Sequence, residues 1–309
     1  MQTSLARRTI RWTYAPALWI GVDGAALAAL GSGSGIVWLG PLLLVAVALS
    51  FLAERIAPWS PEWNRSLGDG ARDVIHAVVN ESASLAALGM LPILVVGLGT
   101  GSLWPSGLPF VVEVVGAILV LDLGVGFVHF LSHRLAWLWR IHAVHHSVLR
   151  MYGLNGLMKH PLHQAVETLA GTAPLVALGL PADVGAALVF CTAIQLLLQH
   201  SNVDYRLGPL RRWLAVAEVH RFHHRRSPVD GDVNFGLFTT LVDHALGTYY
   251  WQPEAPRSGK ALGIAAEPDY PIGYAAQLVR PFRPRIGGSS AVRRRGRGGG
   301  EQARSGADR

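Results

Sequence analysis

Ten histidines in this chain are spaced so that their imidazoles can meet. His129 and His133 stand four apart. His142, His145 and His146 form an H-x-x-H-H block, and His220, His223 and His224 repeat it further on. His160 and His200 lie between the two blocks. On a helix, residues three and four apart share one face, so each block can aim two or three rings at one point. Neutral imidazole ligates zinc, copper, iron and nickel. Eight or more such rings are too many for one tetrahedral site and fit a two-metal centre. The bland alternative is a scatter of core or surface histidines, the reading given to His76 and His244. A pH-sensing cluster is another. The doubled block argues against both.

The elements that must position these rings are apolar. Half of the 309 residues are hydrophobic and mean hydropathy is +0.31, which points to membrane spans. Cys191 is the single cysteine, which excludes an intramolecular disulfide and a cysteine-ligated cluster. Arg7, Arg8 and Arg11 precede the first apolar run. They resemble a signal-peptide n-region, but further long apolar segments follow without a clear cleavage site, so the run is read as a retained span.

Apolar stretches cover residues 14–30, 36–52, 74–98 and 110–130, lengths that fit crossings of about 30 Å of hydrocarbon. Residues 165–199 are apolar on both sides of Gly179-Leu180-Pro181, and each half is short enough for a re-entrant or shallow hairpin. Asn80 and Glu81 fall inside the third stretch, Glu113 and Asp122 inside the fourth; carboxylates there mark function or packing. Arg and Lys concentrate in the N-terminus, in 54–73, in 134–164 and after His200, and are absent from 31–35, 99–109 and 179–181. Positive-inside bias then places every clustered histidine on or near the cytoplasmic face. Residues 280–309 carry nine arginines against Glu301 and Asp308, and the rest of the chain balances at 18 basic and 18 acidic residues. The expected organisation is all-α and polytopic: N-terminal transmembrane helices in 1–110, a His-rich metal domain in 111–280, and a basic, disordered tail in 281–309. In a membrane protein such a tail suits an anionic leaflet better than RNA, so no nucleic acid partner is expected.

The motifs run in a fixed order. Asp122 precedes His129 and His133; Leu138-Trp139 precedes His142, His145, His146 and Ser147. Then come His160-Pro161, His200-Ser201-Asn202, His220 with His223-His224, Asn234-Phe235-Gly236, and Asp243 ahead of Gly247-Thr248. In this order and spacing, over roughly residues 122–250, the chain resembles the fatty acid hydroxylase/sterol desaturase superfamily. It departs at Phe130, where members often have Arg, at His163, where many have Glu, and at Val242 and Leu246, where aromatics are usual.

The resemblance implies an integral membrane, non-haem di-iron enzyme that uses O2 to hydroxylate or desaturate a sterol-like, isoprenoid or fatty-acyl lipid. It implies that His129, His133, His142, His145, His146, His200, His220, His223 and His224 ligate metal, with His160 as a tenth candidate. Asp122 and Asp243 would orient ligand rings as acceptors, and Asn234-Phe235-Gly236 would turn tightly near the metals, with Gly236 free to take positive φ. Trp137, Trp139 and Trp213 would anchor at the interface or line a lipid entry. No cytochrome-b5-like or ferredoxin-like domain and no dinucleotide glycine fingerprint is expected from the sequence. Electrons are therefore expected from a separate reductase, ferredoxin or cytochrome-type donor. Two other readings are an ether-lipid monooxygenase of the same superfamily, needing a pterin, and a non-catalytic membrane metal store.

Overall fold

The computed structural model describes residues 4–33, 35–97 and 103–283, and no strand occurs among them; two isolated bridges, Pro58 with Val203 and Leu214 with Thr239, are the only β pairings there. Most of the basic tail lies outside the described residues. The helices are α1 (Leu5–Gly31), α2 (Ile36–Ile56), α3 (Gly70–Gly97), α4 (Phe110–Ser132), α5 (Ala136–His146), α6 (Pro161–Ala177), α7 (Ala182–His200), α8 (Ala217–His223), α9 (Leu241–Leu246) and α10 (Tyr274–Val279). Four of them, α1, α2, α4 and α7, are long and apolar enough to cross a membrane. The third apolar stretch forms α3, one helix of 28 residues, about 42 Å long at 1.5 Å per residue.

Local sequence explains the helix ends. Ser4 caps α1 by accepting from the Arg7 N–H. Pro16 lacks an N–H, and the helix widens to a π turn over Ala17–Asp23 directly after it. Prolines at or just before the first turn start α4, α6 and α7, where a missing N–H costs nothing. Gly179, at φ 84°, makes the turn between α6 and α7.

The two halves of the expected hairpin differ. In α7, 78% of the apolar window is buried inside the protein, whereas on α6 only His163, Glu167, Gly171 and Leu175 are buried. The helix is apolar because other helices surround it. One of its faces gives Val184, Ala187 and Leu188 to a core shared with α4, and another gives Phe190, Ile194 and Leu197 to a core shared with α1 and α2. This central placement brings His200, its last residue, to the middle of the fold.

Polar side chains on α2 and α3 face inward and hold the loops that follow α5 and α7. Glu54 accepts from the N–H groups of Gly153 (2.8 Å) and Asn202 (3.0 Å). Asn80 donates to the carbonyls of Leu157 (3.0 Å) and Lys159 (3.1 Å). His76, read from sequence as an ordinary histidine, is one: its ring bridges the Lys159 carbonyl and Gln277. His244 contacts the Arg212 carbonyl at 2.7 Å, away from the clustered rings.

The helix that carries His129 is set by a close crossing of α4 and α6. A Cβ on Gly124 would stand 2.4 Å from the Ala170 carbonyl oxygen, and one on Gly171 would stand 3.0 Å from that of Leu121. Small residues let the backbones approach this closely. Gly124→Val should force the helices apart and lower both the melting temperature in detergent and the bound metal per chain. Wild-type values for both would show that the crossing tolerates a side chain.

Candidate metal centre

Nine of the ten sequence-selected histidines meet in two groups. The first comprises His129 and His133 from the end of α4, His142 and His146 from α5, and His223 from α8; the second comprises His145, His200, His220 and His224. Within each group one nitrogen from every ring lies within 4.8 Å of all the others. Helical spacing sorts the rings: His142 and His146, one turn apart on α5, join the first group, and His145, on the adjacent face, joins the second. The groups are neighbours. His146 of the first stacks on His224 of the second, with ring centres 4.8 Å apart.

Close pairs of ring nitrogens show what the arrangement needs. The Nε2 atoms of His129 and His223 are 2.9 Å apart, those of His142 and His146 3.0 Å, and those of His145 and His200 3.2 Å. Four rings direct Nδ1 at a backbone carbonyl: His129 at Phe235 (2.8 Å), His223 at Val233 (2.9 Å), His145 at Met158 (3.0 Å) and His200 at Leu196 (3.2 Å). A carbonyl only accepts, so Nδ1 carries the proton and Nε2 presents a bare lone pair. Lone pairs pressed together in a buried site repel unless a cation lies between them, so the donor set fits a metal ion in each group. Burial, reinforced by the neighbouring rings, pushes the proton affinities of His142, His145, His146, His220 and His224 well below the ordinary value; burial alone, opposed by the Val233 carbonyl and Glu167, brings His223 down to about 4. These rings stay neutral and able to ligate at pH 7.

A fatty acid hydroxylase family model matches residues 114–248, from α4 through α9. Ornithine lipid hydroxylase OlsE of Rhizobium tropici is 31% identical over 274 residues, 86% of this chain and 81% of that protein. The alkylglycerol monooxygenases of Danio rerio and Homo sapiens are 31% and 29% identical over 158 and 133 residues, and the chain spans 33% and 29% of their lengths. No solved structure matches. The chain belongs to the fatty acid hydroxylase family. Like the hydroxylase and monooxygenases it resembles, it is a lipid-modifying oxidoreductase with helices fit for a membrane.

Within this hydroxylase fold some sequence expectations are corrected. His160 joins neither group. It caps α6, with Nδ1 accepting from the Leu162 N–H (3.1 Å) and Nε2 facing the Leu278 carbonyl (3.2 Å). Asp122 touches no ligand ring, because seven helical residues separate it from His129, about 10 Å along the axis. It accepts instead from the backbone N–H groups of Leu237 (3.0 Å), Phe238 (2.8 Å) and Thr239 (3.0 Å). Asp243 accepts from the N–H groups of Phe235 (2.7 Å) and Gly236 (3.0 Å) and from the Thr248 hydroxyl. Both carboxylates clamp the loop whose Val233 and Phe235 carbonyls orient His223 and His129. Burial raises the Asp243 proton affinity, which those donors oppose. Positive φ in this loop sits on Asn234 (58°), not Gly236. The Asn234 side chain offsets the strain by donating to Val219 and Tyr250 carbonyls, both at 2.8 Å, and accepting from the Tyr250 N–H. Gly236 is required for space: a Cβ there would stand 1.8 Å from the Thr239 carbonyl oxygen.

Sequence reading named His163 only as a departure from the family pattern and passed over Lys159 and Glu167. His163 is fully buried, its ring 4.4 Å from that of His142 and its Nε2 2.9 Å from the Ser132 hydroxyl. Lys159 and Glu167 form a buried ion pair (2.5 Å) that lines, together with His129, His142, His145, His200 and His220, a small cavity touching both groups. The signal for Glu167 was present as a carboxylate four residues after His163 at the start of an apolar helix. Its partner lies in a loop, where spacing says nothing about proximity.

The rings are neutral when folded and gain protons near pH 6.5 when unfolded. Stability is therefore fully present above about pH 6.5 and is lost as pH falls toward about 4, because the unfolded chain binds protons that the folded one refuses. Thermal melts of metal-stripped protein should show the melting temperature falling steeply across that window. A flat profile would show that the rings are not neutral and buried in solution.

Proposed function

We propose that this chain hydroxylates a membrane lipid with O2 by means of two iron ions held by the nine convergent imidazoles. The observation that carries this reading is the set of proton-free Nε2 lone pairs aimed at two neighbouring points. One ion belongs with His129, His133, His142, His146 and His223, the other with His145, His200, His220 and His224; His160 is left out. Oxygen chemistry calls for a redox metal, which zinc is not. When bound, iron supplies the activation of O2. The chain's residues do the rest. Carbonyls of Val233, Phe235, Met158 and Leu196 hold the rings in one tautomer. Val125, Leu196 and Leu237 line the apolar part of the cavity, the side from which a lipid C–H bond would approach. Two electrons from a reductase, ferredoxin or cytochrome-type donor, two protons, O2 and the C–H bond give the alcohol and water.

The similarity to an ornithine lipid hydroxylase over 86% of the chain supports a lipid with an amino-acid headgroup as substrate, and hydroxylation over desaturation. An ether-lipid monooxygenase is the second reading, favoured by the shorter alkylglycerol monooxygenase matches; it would show as dependence on a pterin. The one-sided Arg and Lys support a cytoplasmic metal centre. The N-terminal helices would serve as anchor and residues 111–280 as the catalytic domain.

Alanine at His145 and at His223, one from each group, should abolish lipid oxygenation and lower bound iron. Lipid mass spectrometry of a deletion strain and its complemented variants, with iron analysis of the purified proteins, reads both. Full activity in either variant would sink the ligand assignment. In a Cys191→Ser background, Ser66→Cys should label from the cytoplasm and Ser106→Cys from the opposite side. Labelling of both from one side would overturn the orientation.

A further inference from the structure

Of the nine histidines in the two groups, His133 is the most exposed, its side chain 8% accessible. Trp139 covers it. The indole lies 5.2 Å from the His133 ring and 5.3 Å from that of His146, both in the first group. On its other side Trp139 lines a surface cleft with Arg140, Glu267, Tyr270 and Arg280. A single aromatic side chain thus connects two candidate ligands to the surface. The surroundings are basic. Arg134 follows His133 and pairs with Asp232, Arg280 pairs with Glu267, and Arg140 and Arg280 both donate to the Arg283 carbonyl. The guanidinium groups of Arg134, Arg140 and Arg280 outnumber the two carboxylates, Asp232 and Glu267, here.

We propose that this face, centred on Trp139 and Arg140, is where an acidic one-electron carrier protein docks and passes electrons through the Trp139 indole to the first metal group. The inference rests on the oxygenase reading above. Each turnover needs two electrons, so the carrier must visit twice, giving one electron each time; the electrons, two protons and O2 yield the alcohol oxygen and one water. The second group is wholly buried, so among the described residues the electron entry falls where a ring of the centre comes nearest the surface. Positive charge around that point would steer an acidic partner and raise its rate of encounter. The rival occupant is the membrane surface, since Trp137, on the same short helix, is 62% exposed.

The experiment uses the full-length, iron-loaded protein in detergent, with an acidic two-iron, two-sulfur ferredoxin as probe. Wild-type binding should weaken with salt. Arg140→Glu should weaken it about tenfold and flatten the salt dependence, while dithionite reduces variant and wild type at equal rates. Trp139→Leu should bind ferredoxin normally, keep its iron, and accept electrons from it at least several-fold more slowly; Trp139→Phe should restore most of the rate. Should Trp139→Leu lose iron, the Phe variant and Arg140→Glu decide. Wild-type binding and reduction rates in Arg140→Glu and the Trp139 variants overturn the proposal. So does a loss in Arg140→Glu confined to phosphatidylglycerol vesicles, which would make this face a membrane contact. Lipid left unoxidised by dithionite-reduced protein would count against the oxygenase reading itself; ferredoxin binding and electron transfer are measured without it.

Discussion

Everything in this molecule depends on nine imidazoles turned so that their lone pairs converge. Such a cluster is unfavourable by itself. The rings are desolvated, their nitrogens are as close as 2.9 Å, and protonation to relieve the crowding is opposed by burial. Cations at the two foci would reverse the sign of the interaction, since the same lone pairs then become ligands. The fold must therefore hold the rings against their own repulsion before any metal enters, which explains how much of the chain is occupied with holding them.

That holding is mostly backbone work. Carbonyls of Val233, Phe235, Met158 and Leu196 fix ring tautomers, and buried polar side chains fix the loops that supply most of those carbonyls. Asp122 and Asp243 grip the loop around Phe235; Asn80 grips Leu157 and Lys159, on either side of Met158; Glu54 and Asn202 tie that region to α2 and to the end of α7. Carboxylates and amides inside apolar helices are costly when unpaired. Here Glu54, Asn80 and Asp122 each make two bonds or more, so these three are accounted for by loops rather than by lipid. A carbonyl also suits the task chemically. It accepts a hydrogen bond from the imidazole Nδ1–H without adding negative charge, leaving the ring neutral and Nε2 free to ligate.

The apolar part of the fold serves the same end. Close crossing at Gly124 and Gly171 sets the height of His129 and His133, and the buried central helix α7 delivers His200 to the second group. The Lys159–Glu167 pair introduces charge beside the cavity without net charge, which keeps the site from accumulating more positive potential than the metals bring.

The sequence by itself determined the helical class, the order of the histidine motifs and the nine rings that meet, because helical periodicity and apolar length are local properties written in consecutive residues. It also marked Asp122, Asn234 and Asp243 as residues of the site, but not what they touch. Only the tertiary structure decided that. Asp122 lies two turns from His129 along the same helix, and its partners are 115 to 117 residues away in the chain. His160 kept the spacing of a ligand and became a helix cap, since proline at 161 starts α6 and turns the ring toward the helix start. The apolar halves around Gly179 looked alike in sequence, yet α7 is enclosed by protein, because hydrophobicity does not distinguish lipid from neighbouring helices. How the rings divide into five and four, and that Trp139 covers the exposed edge of the first group, follow from the packing of α4, α5, α7 and α8, and no local pattern encodes that.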